Sequence, residues 1–140
     1  MNQKELKDLN KKIENIYNYG CYFLSLCYVA KGREPYNIDE MIDWYDLFIK
    51  KDWMEEDCYI KDPCAILEFF TGKKYTVVKD TVLDPKVDIV IGRWHNPATN
   101  HYHFVVMDSN NNVTYDPLGD SITVADGVIE SYRLFDGEEK

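Results

Sequence analysis

The sequence predicts an α+β fold, a helical N-terminal half packed on a C-terminal antiparallel sheet, within a single domain spanning residues 1–140. Three observations lead there. Apolar residues recur at three- and four-residue spacings through the first half. The second half alternates apolar and polar residues in short β-branched and aromatic runs bounded by Asn, Asp, Gly and Pro. Between Cys21 and Ala30 almost every position is apolar, over a length too short to span a membrane and suited to a central helix buried on most sides.

The first expected helix covers Lys4 to Ile16, with Leu6, Leu9, Ile13 and Ile16 on one face among charged residues, and Asn18-Tyr19-Gly20 breaks it. The second starts at Cys21 and stops at Gly32. A third begins after Asn37, an N-cap residue with Glu40 three positions on as in a capping box, and carries Ile38, Met41, Ile42, Tyr45, Phe48 and Ile49. The fourth is bracketed by Asp62 as cap, Pro63 at the first helical position and Gly72 at its end. Strands are expected at Tyr75–Val78, Asp88–Ile91, His101–Asp108, Val113–Asp116 and Ser131–Leu134. The sequence contains no internal repeat, low-complexity tract or linker.

An apolar share of 45% and eleven Tyr in 140 residues supply a core for one domain and argue against disorder. The net charge of −9 disfavours any role that rests on neutralising phosphates, so nucleic acid is not an expected partner. No run is long enough for a membrane span, and the charged start lacks the apolar stretch of a secretory signal, which makes a cytoplasmic protein the expectation. Cys21, Cys27, Cys58 and Cys64 are then expected to remain thiols. No CxxC pair occurs, and His95, His101 and His103 do not stand at ligand spacing from any cysteine, so neither a metal nor a cofactor is expected.

The run Ser109-Asn110-Asn111-Asn112 reads as a hairpin turn, since Asn tolerates positive φ. Centring the turn there sets Asp108 opposite Val113, Val106 opposite Tyr115 and Val105 opposite Asp116. Side chains alternate faces, so His103 and Asp116 become diagonal neighbours roughly 7–8 Å apart at Cβ, close enough for one hydrogen bond. A one-residue slip would send Asp116 to the other face. His101 shares the face but lies further off, at the rim. The plainer reading of His103 is a half-buried strand histidine bonded to a backbone carbonyl.

Thiol chemistry requires the thiolate, which the unpaired N–H groups and dipole of a helix N-terminus favour. Cys21 is placed there, and Gly20 before it permits a sharp turn and close approach of a substrate backbone. Cys27 lies deep in the apolar helix and reads as core, Cys58 falls in a loop, and Cys64 shares the helix-start position without a preceding glycine. The plainer reading of Cys21 is a small buried residue at a helix start.

Gly20-Cys21, His103-Phe104-Val105-Val106 and Asp116-Pro117-Leu118-Gly119 together resemble the papain-like cysteine peptidase superfamily, in particular its bacteriocin-processing peptidase-like branch. Tyr17 to Cys21 and His101 to Asp108 also look like a family without established activity that is met in spirochaete plasmids and bacterial prophages. The papain-like resemblance implies a catalytic triad of Cys21, His103 and Asp116. It also implies an oxyanion donor shortly before the cysteine, where Gln is usual and this chain offers Asn18 or Asn15. Tyr22 and Phe23 stand where such relatives prefer small residues, so crowding of the cleft is expected.

Two functional classes follow. One is a thiol hydrolase, a peptidase or amidase acting on a peptide or isopeptide amide. The other is a catalytically inactive binding module, a phage or plasmid accessory protein that docks on a host protein through an acidic, Tyr-rich surface. A structural component of a phage particle is a third reading, and the sequence leaves the oligomeric state open.

Overall fold

The computed structural model describes residues 1–119 and 121–138. Four helices come first: α1 (Gln3–Tyr19), α2 (Cys21–Lys31), α3 (Ile38–Lys50) and α4 (Pro63–Thr71). Strands β1 (Tyr75–Asp80), β2 (Ile89–Asn96), β3 (His101–Met107) and β4 (Val113–Tyr115) follow, then a short helix α5 (Ile122–Ala125) and the long strand β5 (Val128–Gly137). The strands form one antiparallel sheet in the order β1-β5-β2-β3-β4. The α+β reading therefore holds, with the helices first and the sheet after them.

Local chemistry accounts for most boundaries. Asn2 and Glu5 close α1 with a reciprocal capping box. At α3 only half of the expected box forms. Asn37 accepts from the Glu40 N–H, but the Glu40 carboxylate turns away to Arg33 and the Tyr36 N–H, because a guanidinium fork is the stronger partner. Asp62 caps α4 as expected, and Gly32 and Gly72 end α2 and α4 with φ of 71°. α1 runs through Tyr19, past the expected break, and only Gly20 separates it from α2.

The sheet is covered on both faces. On one, Phe23 and Leu26 of α2, Phe48 of α3 and Ile66 and Leu67 of α4 pack with Ile91 and Phe135. On the other, Val90, Val105, Met107, Tyr132 and Leu134 pack beneath Leu83, Val87 and Val124. Fully burying each of these large side chains contributes about 1.5–3 kcal/mol. Trp44 and Trp53 pack against the first cluster and Trp94 against the second. The expected 105-to-116 hairpin register is partly corrected. Val106 pairs with Tyr115 as read, but Val113 pairs with Met107 rather than Asp108, because a bulge takes up one residue between them.

Candidate functional site

Cys21 is the first residue of α2, and Gly20 both ends α1 and begins α2. The Gly20 N–H donates to the Ile16 carbonyl, and a Cβ at Gly20 would lie 2.4 Å from that oxygen. The glycine thus serves a close approach of the protein's own helix. Among the described residues no side chain caps α2, so the N–H groups of its first turn have no side-chain acceptor.

The thiol is held at a sheet edge. β4 pairs with β3 only at Val106 and Met107. Beyond that point the outer side of β3 is taken over by α2: the Phe104 N–H donates to Cys21 Sγ at 3.4 Å, and Ser25, one turn further on, donates from Oγ to the Phe104 carbonyl at 3.5 Å. Tyr22 stacks on the Phe104 ring at 4.4 Å and Phe23 enters the core at 0% exposure. Neither lines the cleft, so the expected crowding does not occur.

His103 is 3% exposed and donates from Nε2 to Asp116 Oδ1 at 2.5 Å. An ionised carboxylate only accepts, so Nε2 carries the proton and Nδ1 is the ring nitrogen left for the thiol. Burial depresses the proton affinity of the imidazole, but its contacts with Cys21 and Asp116 outweigh that and hold the His103 pKa above its ordinary value. For Asp116, burial pushes up, while His103, the Leu118 N–H and Ser121 prevail and hold the carboxyl below its ordinary value. The two directions agree with one buried pair that prefers to be charged on both sides.

Asp116 is built into a turn. Its Oδ1 accepts from the Leu118 N–H at 2.9 Å and its Oδ2 from the Ser121 N–H at 3.2 Å, while Gly119, at φ 81°, donates to the Asp116 carbonyl. Ser121 also accepts from the Val124 N–H and so starts α5. Ser121 and α5 were not foreseen. The Asp116-Pro117 and Gly119 turn residues were the signal for the turn, but a four-residue helix leaves no periodicity to read.

Cys21 and His103 open onto a cleft of about 930 Å³ that includes Asn18, Tyr17, His101 and Leu118, and among the described residues no Lys, Arg, Asp or Glu lines it. His101 is exposed at the rim, as expected. Asn18, in the last turn of α1, shares the cleft with the thiol. Asn15 does not. Its amide is turned away to donate to the Glu56 carbonyl at 3.2 Å, and it lines a separate depression of about 410 Å³.

All four cysteines are free thiols. Burial pushes Cys27 well above its ordinary range and Cys58 up to about 12. Cys64, in the first turn of α4, is raised by burial and by Asp62. Among the described residues no group of three His, Cys, Asp or Glu side chains could hold a metal ion, and no helix is long and apolar enough to cross a membrane.

The family model described as "Protein of unknown function, DUF261" matches residues 1–137, and the chain belongs to that family. No curated protein and no solved structure matches the chain.

Proposed function

We propose that the protein is a papain-like thiol hydrolase, a peptidase or amidase that cleaves a peptide or isopeptide amide with Cys21, His103 and Asp116. The observation that carries this reading is the His103–Asp116 pair at 2.5 Å, buried beside a cysteine at the uncapped start of α2. Nucleophile, base and orienter are then met in the order that thiol acyl transfer requires.

In the reaction, His103 Nδ1 takes the Cys21 proton as Sγ attacks the amide carbonyl carbon. The imidazolium is stabilised by the Asp116 carboxylate. The oxyanion develops towards the Cys21 N–H and the Asn18 side chain, with Asn15 no longer a candidate for that role. His103 then protonates the leaving nitrogen, the C–N bond breaks, and a water activated by the same imidazole releases the acyl group and restores the thiol.

The test is the pH dependence of iodoacetamide alkylation at each cysteine, read by peptide mass in the native protein and in His103→Ala. Rapid alkylation of Cys21 below neutral pH, slowed without His103, supports the pair. Equal, ordinary reactivity in both proteins removes the hydrolase reading.

A second reading, a papain-like binding module acting on a host protein, draws on Asn15, whose engagement with Glu56 leaves Asn18 as the one of these two asparagines that shares the cleft with the thiol. Under that reading Cys21→Ala keeps the biological effect.

A further inference from the structure

We infer that β1 is a homodimerisation edge, along which two copies of this chain join their sheets antiparallel about a two-fold axis at Val77. The two sheet edges are built differently. β4 has three residues and a bulge beside it, the usual way of blunting an edge. β1 has six residues in uninterrupted register with β5, and Thr76 to Asp80 are exposed, Val78 at 57%.

The backbone parity selects the register. The Glu138 N–H donates to the Lys74 carbonyl, so the groups of Lys74, Thr76, Val78 and Asp80 face β5. Those of Tyr75, Val77 and Lys79 point outward, and no hydrogen bond to them is found among the described residues. A two-fold axis at Val77 sets Val77 against Val77 and Tyr75 against Lys79 of the second copy. All the outward N–H and C=O groups are then paired in one step.

Charge selects the same partner. The strand is flanked by Lys73 and Lys74 at its start and ends in Asp80. The Val77 axis brings each Lys74 opposite the other copy's Asp80, so the sequence is complementary to itself when antiparallel and to no parallel copy. Thr76 falls opposite Val78, which covers an otherwise exposed apolar side chain. The surface lies on the strand furthest in the sheet from β3 and β4, which leaves the cleft open in the dimer.

The experiment is sedimentation equilibrium of the whole chain between about 1 and 200 µM, for the native protein, Lys74→Glu, Asp80→Lys, the double variant and Val77→Pro. A native dimer is expected, weakened roughly tenfold or more by each single charge reversal. The double variant restores it, and the two single variants mixed together form a 1:1 heterodimer. Val77→Pro removes an outward N–H without touching the β5 ladder and yields monomer. Circular dichroism establishes that each variant is folded, and if Val77→Pro is not, the charge reversals decide alone. A native protein that stays monomeric at 200 µM overturns the proposal, as does a dimer indifferent to the charge reversals.

Discussion

Replacing Asp116 by Asn tests the buried pair with little change in shape. The carboxylate accepts three hydrogen bonds: from His103 Nε2 and the Leu118 N–H at Oδ1, and from the Ser121 N–H at Oδ2. An amide has one accepting oxygen. Aimed at His103 and Leu118, it presents its NH2 to the Ser121 N–H, donor against donor. Aimed at Ser121, it loses the other two. The first arrangement is the cheaper and forfeits one hydrogen bond to a charged group, worth about 1.5–3 kcal/mol.

The loss of charge adds a pH-dependent part. In the native protein the His103 pKa is raised, so its contribution to stability is complete below the unfolded histidine value, about 6.5, and is lost as pH rises through the higher folded value. The raised value comes from the contact with Cys21 and then from Asp116, and the Asn variant lacks the part that the Asp116 charge supplies. Urea denaturation should therefore show a total loss of about 2–4 kcal/mol at pH 6 and a smaller one above pH 8. The His103 ring should also titrate at lower pH by NMR. A loss under about 0.5 kcal/mol at both pH values, with unchanged His103 titration, would refute the reasoning.

Three other outcomes follow from the same structure. Gly20→Ala forces a Cβ against the Ile16 carbonyl, and urea melts should lose about 1–3 kcal/mol despite the better helix propensity of Ala. Phe23→Ala empties a fully buried site facing Tyr45 and Phe48 and should cost about 3–5 kcal/mol by chemical denaturation. Cys27 and Cys58, buried and with thiols raised by that burial, should resist alkylation at pH 8 in the native protein and react on unfolding, as peptide mass would reveal.

The helices were legible because their signals are local. Asp62-Pro63 and Gly72 delimit α4 without reference to the rest of the chain. β2 was read only as far as Ile91 but runs to Asn96. Gly92 and the polar residues Arg93, His95 and Asn96 hide the strand, and the room at Gly92 is taken by Met107 of the neighbouring strand, a tertiary fact. His103 and Asp116 were brought together by a register argument that missed the bulge, and it survived because the bulge lies beyond the 106–115 pair that positions them. The choice between Asn18 and Asn15 could not be made from spacing. It depends on Glu56, whose carbonyl accepts from both Asn15 and Tyr45. Cys21 was found by its helix start, but its anchoring to the Phe104 N–H depends on where β4 ends, and strand length is among the least local properties of a sheet.

The shortness of β4 sets a limit on how this fold can vary. The outer side of β3 is one row of hydrogen-bonding groups shared by two tenants, a strand at Val106 and a helix start at Phe104. Growth of either tenant evicts the other. Extending β4 along β3 to Phe104 would claim the N–H now held by sulfur, displace the thiol and pull Asp116 out of its turn into the ladder. Insertions in the loop from Ser109 to Asn112 can therefore lengthen the tip of the hairpin freely, whereas a change in where β4 ends alters the cleft itself.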